Sequence, residues 1–510
     1  MNRFKTQLLA LATLFFPFTA SAQYTIYPIP HTQTAGKGSK VAFTKNVNIV
    51  CDDAIDTYTR QRAQTILAEH GFTATISTTE SNTLSNIYLG VASGNGLTKA
   101  AATKLQLNLS VLTKSGKFDR HVLSLTNAHD GVAQLIIIGE NTDATFMGLA
   151  SLEQMLDAET NQMPTVTISD YADLKERGII EGFYGKPYSS EVRKDLLRFM
   201  MRNKMNCYVY GPKSDVYHSG KWTEAYPTEL TEAQRKSGFV TQQDLREFTD
   251  VAHQTKVSVV WAIHPGDDLL NDNGVVEKIM GKFAKMHTLG FRQFAVFADD
   301  VNRPENQNDM NLTASRIADI QRSIESRWNT NRTSPTDIVK PLRFTPQIYC
   351  RNYAASQWQF NQFFKALSSI PKDVTIYYTG GGVWSVPNNY DLNTVQYQFG
   401  RNVIWWWNYP CNDNGSGPSE IYPLDMRSNF FDMPNVDNNA CLETELTAIR
   451  ASSATLWSRD RQHAPLCSRQ ATTVGTTAVS TTTLHGKHRS EPSFQVAPNY
   501  RMPIAFSLHI

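Results

Sequence analysis

From Arg177 onward, short apolar runs alternate with amphipathic helical stretches, and few folds accept that rhythm. The runs are Gly178–Phe183, Asn206–Tyr210, Val257–Ile263, Phe291–Phe297, Leu342–Ile348, Val374–Tyr378 and Val403–Trp407, and Leu446–Ile449 offers an eighth. Helical stretches at Glu191–Lys204, Val276–His287 and Gln357–Leu367 fill intervals between them. Repeated strand–helix units of this number predict a (β/α)8 barrel, with functional groups at the C-terminal ends of the strands. A doubly wound open sheet stays open as an alternative, because periodicity does not report closure.

A chain of 510 residues exceeds what one core usually organises, and the region before Arg177 has a different rhythm. Strand-like runs at Val47–Val50, Ile87–Val91 and Ala133–Gly139 are mixed with helical stretches at Thr57–His70 and Phe146–Leu156. Residues 23–171 therefore read as a small α/β domain in front of a catalytic barrel at 172–449. Residues 1–22 carry Arg3 and Lys5, an apolar run from Leu8 to Phe18 and Ala20-Ser21-Ala22, the three parts of a secretory signal peptide. Export, secreted or periplasmic, is the expectation. No later stretch approaches the ~20 apolar residues of a membrane span. A formal net charge of +2 with interspersed signs offers no basic patch for nucleic acid. The six cysteines are scattered without metal-ligand spacing, and the chemistry expected at the strand ends needs neither a metal nor an organic cofactor.

The C-terminal ends of the runs collect a distinctive set of side chains. They are Glu181-Gly182-Phe183-Tyr184-Gly185, Tyr210-Gly211-Pro212-Lys213, His264-Pro265-Gly266-Asp267, Asp299-Asp300, Tyr349, Thr379-Gly380, and Trp406-Trp407-Asn408 with Asp413. Aromatic faces cover the C–H side of a pyranose while amides, carboxylates and a lysine satisfy its hydroxyls. Asp299 and Asp300 follow directly on an apolar strand; repulsion and desolvation push neighbouring carboxylates toward different protonation states. A helix cap or a cation-ligand pair is the plainer reading of two adjacent acids. As catalysts they constrain the reaction, because an ordinary retaining glycosidase sets its carboxyls about 5–5.5 Å apart across the scissile bond. Neighbours on one backbone do not flank a sugar. The resolution is substrate assistance: the sugar's own 2-acetamido oxygen attacks, one Asp orients the acetamido N–H, and the other protonates the leaving oxygen.

These blocks resemble glycoside hydrolase family 84, the β-N-acetylglucosaminidases that include O-GlcNAcases and bacterial enzymes once called hyaluronidases. The resemblance runs from Arg177–Gly185 through Asn203–Asn206, Tyr210–Lys213, Trp261–Gly266 and Phe294–Asp300 to Trp406–Pro410, and extends to the preceding α/β domain. It implies that Asp299 polarises the acetamido group and that Asp300 is the general acid and then the base. It further implies that the Gly182 carbonyl and Lys213 hold sugar hydroxyls, that Asn408 binds the acetamido group and that Asp413 grips the far hydroxyls. Tyr349, Thr379, Val383 and Trp406 would shape the acetamido pocket, although Gln347-Ile348 replaces the family's usual Thr-Glu before Tyr349. The implied partners are N-acetylglucosamine-containing glycans or glycoproteins. Plainer roles exist for Lys213, as a solvated lysine, and Trp406, as a core tryptophan.

After Ile449 the family pattern stops, and residues 450–510 are rich in Ser, Thr, Arg and His without helical periodicity. One reading is a disordered polar tail. Another is a shifted reading frame, since codons for Ala471–Thr476 and Leu484–Ser490 exist whose alternative frame spells Asp-Tyr-Cys-Trp-Asn and Ser-Trp-Lys-Ala-Ser-Phe. The nucleotide sequence decides between them. The expected activity is that of a retaining exo-β-N-acetylglucosaminidase; the alternatives are a lectin-like barrel that binds without turnover and an endo-acting glycosaminoglycan hydrolase.

Overall fold

The computed structural model describes residues 24–408, apart from 37, 39, 159–161, 185–186, 331, 333–336, 384 and 386–387, and the backbone of a strand at Cys441–Glu443. The expected leader, Asp413, the run Leu446–Ile449 and the polar tail lie outside the described residues.

The first part is a seven-stranded mixed sheet. Its strands are β1 (Thr32–Ala35), β2 (Asn46–Cys51), β3 (Thr73–Ser77), β4 (Ser85–Val91), β5 (Phe118–His129), β6 (Val132–Gly139) and β7 (Val166–Ala172), in the order β1-β7-β5-β6-β4-β2-β3. Ile49, Ile87, Leu123, Leu135 and Ile137 on one face pack with Ile66, Leu149 and Leu152 of the helices Thr57–Glu69 and Thr142–Ala158. The Asp56 carboxylate caps the first of these helices by accepting from the Thr59 N–H.

The second part is a closed barrel of eight parallel strands: β8 (Arg177–Glu181), β9 (Cys207–Tyr210), β10 (Ser258–Ile263), β11 (Phe294–Phe297), β12 (Arg343–Thr345), β13 (Thr375–Tyr378), β14 (Ile404–Trp407) and β15 (Cys441–Glu443). Closure eliminates the open doubly wound sheet. The eighth strand comes from Cys441–Glu443, which pairs with both β14 and β8, and precedes the run assigned to it from sequence. Alternation along the strands separates two cores. Ile180, Val209, Val260, Ala262, Phe297, Tyr377 and Trp406 cluster as a packed interior, while Ile179, Tyr208, Trp261, Ile263, Val296 and Tyr378 pack with the helices. Gly178 is required where β8 meets β9, since a Cβ there would stand 1.6 Å from the Cys207 carbonyl oxygen.

The two parts are joined through buried charge. Lys204, at the end of the helix Ser190–Arg202, places its ammonium 2.8 Å from Asp170 of β7, with both side chains fully buried. Arg177, the first residue of the barrel, reaches Asp119 of β5 at 2.5 Å and also donates to the Leu174 and Lys204 carbonyls. A buried pair of this kind contributes little net stability, yet is costly to break, so it specifies how the sheet seats against the barrel.

Candidate active site

The expected site residues among those described converge on one end of the barrel, and the ties between successive loops show why. Past the end of β8, the Glu181 carbonyl accepts from Gly211 N at 3.1 Å, and the Phe183 carbonyl accepts from Lys213 N at 3.2 Å. These bonds continue the β8–β9 ladder beyond the strands and set Lys213 over the barrel mouth. Beneath them the Glu181 carboxylate, fully buried, is clamped bidentately by Arg193 (2.8 and 2.8 Å) and accepts from the Tyr208 hydroxyl (2.7 Å) and Tyr188 N (3.0 Å). That anchor fixes both ends of the loop carrying Gly182 and Tyr184.

Asp299 and Asp300 face different surroundings. Asp299 is buried, and its Oδ2 lies 2.6 Å from the Lys213 ammonium, itself only 4% exposed. Burial by itself would raise this carboxyl, but the charge of Lys213 outweighs burial and holds it below the usual carboxylate range. Its Oδ1 is buried and accepts no hydrogen bond. Asp300 is exposed at the mouth, with Oδ2 accepting from the Tyr184 hydroxyl at 2.8 Å and Oδ1 from the Tyr349 hydroxyl at 3.1 Å. The Tyr353 hydroxyl stands 3.5 Å from the same Oδ1, and the Arg303 guanidinium lies 4.3 Å over the Tyr353 ring. Burial, and next the Asp300 carboxylate, push the Tyr349 hydroxyl up, so it stays a donor. Asp300 adopts a left-handed backbone, φ 59°, which is uncommon for a residue with a Cβ.

The helix-cap reading of the acidic pair fails. The next helix, Gln307–Ile324, is capped by Asn306, and among the described residues no group of His, Cys, Asp and Glu is arranged to hold a metal ion. Lys213 is not a solvated lysine. Trp406 is 5% exposed and packs on Phe297 and Tyr377; its indole also limits Gly182, where a Cβ would meet it at 2.6 Å. Thr379 is buried, with its N–H on the Tyr349 carbonyl (2.9 Å) and its hydroxyl on the Gly382 carbonyl (2.8 Å). Asn408 donates through Nδ2 to the Val383 carbonyl at 3.1 Å. Sequence reasoning gave no role to Tyr184, Tyr353, His264 or Asp267. Tyr184, His264 and Asp267 lie within the strand-end blocks, which was the available signal; for Tyr353 the only hint was an aromatic shortly after Tyr349.

A closed parallel barrel with a buried and an exposed carboxylate side by side at its C-terminal mouth defines a barrel enzyme of the acid–base class. Comparison with known proteins makes this specific. Residues 177–463 match the beta-N-acetylglucosaminidase family model, and residues 23–171 match domain 2 of glycosyl hydrolase family 20. The match continues past Ile449, where the sequence pattern was read to stop. Protein O-GlcNAcase of Rattus norvegicus and that of Mus musculus are each 26% identical over 240 residues, 46% of this chain and 24% of theirs. The chain thus spans about a quarter of the length of the curated relatives it matches. The solved structure of CpGH84D superposes with TM-score 0.69 at 27% identity, covering 86% of this chain and 70% of that one. CpGH84B, 24% identical with TM-score 0.65, shares the fold. The chain belongs to the β-N-acetylglucosaminidase family of glycoside hydrolases, family 84.

Proposed function

We propose that the protein is a retaining, exo-acting β-N-acetylglucosaminidase that removes terminal β-linked N-acetylglucosamine by substrate assistance. The observation that carries this reading is the division of labour between neighbouring carboxylates. Asp299 is buried, held as the anion by Lys213, and keeps one buried oxygen unbonded; Asp300 stands at the mouth among tyrosine hydroxyls. A buried acceptor left unbonded costs about 1–3 kcal/mol, so Asp299 Oδ1 is suited to a donor brought by the ligand. The N–H of a 2-acetamido group is such a donor.

In the first step the acetamido oxygen bonds to C1 as the glycosidic C–O bond breaks, and Asp300 passes its proton to the departing oxygen. Asp299 accepts the acetamido N–H while positive charge grows on that group, and an oxazoline forms. In the second step Asp300 takes a proton from water as the water oxygen attacks C1, the ring opens, and the β configuration is restored. The leaving group lies on the exposed side of Asp300, beside Tyr184, Tyr353 and Arg303. Thr379, Val383, Asn408 and Trp406 are assigned to the acetamido pocket and Gly182 to the sugar hydroxyls; Lys213, seated on Asp299, serves its charge as well as the sugar. Secretion of the protein, and N-acetylglucosamine-bearing glycans or glycoproteins as its partners, are part of the same proposal.

Activity is expected to depend on the 2-acetamido group. An aryl β-N-acetylglucosaminide should be cleaved with release of the β anomer, and the matching aryl β-glucoside should not be cleaved measurably. Comparable turnover of the two, or a sugar trapped covalently on a protein carboxylate, refutes substrate assistance. Release of single sugars from the non-reducing end of an oligomer tests the exo mode, and binding without any hydrolysis would instead identify a lectin.

A further inference from the structure

We propose that the loop His264–Asp267 after β10 is a positioning device that clamps the Asp299–Asn302 segment at two points, holds Asp300 in its left-handed backbone, and so turns the adjacent carboxylates apart. On one side of Asp300, the His264 Nε2–H donates to the Asp299 carbonyl at 2.8 Å. On the other, the Asp267 carboxylate accepts from Asn302 N at 2.9 Å and from Asn302 Nδ2 at 2.7 Å. Of the two residues between these ties, Asp300 has φ 59°, and Gly266, itself at φ 61°, makes the turn that lets one short loop supply both.

The orientation matters because side chains adjacent on an extended strand point to opposite faces, which here would send one carboxylate toward the barrel wall. With Asp300 in the left-handed region, Asp299 meets Lys213 below while Asp300 meets Tyr184 and Tyr349 at the mouth. His264 is well suited to its part. Burial, and next the Lys213 ammonium, hold its imidazole below the usual range, so it is neutral with its proton on Nε2, facing a carbonyl. Its own N–H is tied to the His218 carbonyl at 2.8 Å, and His218 is in turn anchored through Nδ1 to the Ala262 carbonyl at 2.8 Å. Neither His264 nor Asp267 touches the reacting atoms; both act through the backbone of the pair.

The functional part of the inference rests on reading Asp300 as the general acid. Asp267 is exposed, so Asp267→Ala is expected to fold. A misplaced acid on the order of 1 Å out of line costs about 10²-fold. For Asp267→Ala, kcat/KM on aryl β-N-acetylglucosaminides of weakly acidic phenols should fall about 10²-fold. With a strongly acidic phenol, whose departure needs no proton, kcat/KM should stay nearly unchanged. His264→Leu should show the same divergence, superposed on whatever uniform loss its burial brings. A crystal structure of Asp267→Ala should show residue 300 relaxed to negative φ. An equal loss across the phenol series, or φ at residue 300 still near its parent value, overturns the clamp, since the intrinsic tolerance of Asp for this backbone would then suffice. If the parent cleaves none of these substrates, the acid role of Asp300 falls, while the crystal structure still judges the clamp.

Discussion

Asp300→Asn is expected to lose about 10²–10⁴-fold on substrates with poor leaving groups, the usual worth of a positioned general acid. The amide oxygen can still accept from one of Tyr184 and Tyr349 while its NH2 donates to the other hydroxyl oxygen, so the loop should keep its shape and the loss should be chemical. With an acidic phenol as leaving group, the first step is expected to be largely spared. The oxazoline then persists, because water has lost its base. Azide needs no deprotonation, so it should accelerate turnover of this variant and yield a β-glycosyl azide. A loss of the same size for every leaving group, with no response to azide, removes Asp300 from the acid–base role.

The Asp299→Asn variant should behave in the opposite way. In the proposed mechanism its carboxylate stabilises charge that develops on the acetamido group with every substrate, so a loss of roughly 10²–10³-fold is expected, nearly independent of the leaving group. Azide should not restore it. Removing this anion also leaves the buried Lys213 ammonium without its partner, so the folded fraction must be measured alongside. Lys213→Met separates the two effects through pH. In the parent, the charge of Lys213 holds Asp299 ionised below the ordinary carboxylate range despite its burial. Because its folded pKa lies below the unfolded one, Asp299 contributes stability above the ordinary range and loses it as pH falls through the lowered value. Without Lys213, burial dominates and the acid limb of the rate profile should move to higher pH. An unmoved limb would show that Lys213 does not set the charge of Asp299.

Much of the barrel was legible because most of its strands have apolar centres and give way to polar residues. The runs at Val257–Ile263 and Val403–Trp407 fall almost on Ser258–Ile263 and Ile404–Trp407. Boundaries drifted where apolar residues continue past the ladder, so that Gly182 and Phe183 sit in a loop and Leu342 and Ile348 flank a strand of only three residues. In the first part, β1, β3, β5 and β7 escaped notice. β5 is a long antiparallel strand with polar ends, and its membership is set by partners in β6 and β7 and not by its own pattern.

At the site, the residue types were legible and their pairing was not. Lys213 was read as a ligand for sugar hydroxyls; the folded chain adds its ion pair with Asp299 from another strand end, which no sequence pattern records. Tyr184 passed as part of a motif because nothing local reveals that its hydroxyl meets Asp300 across the mouth.

By itself the sequence determined the alternation that makes a parallel barrel, the residue types at the strand ends, and the adjacency of two carboxylates on which the proposal of substrate assistance rests. The tertiary structure decided which strand closes the ring, which carboxylate is buried on a lysine, and which is turned to the mouth. Those outcomes depend on contacts between loops distant in sequence, such as Lys213 with Asp299 and Asp267 with Asn302. A side-chain pattern records whether a residue prefers burial; the charge it meets and the direction it faces are set only when the strands that carry it are brought side by side.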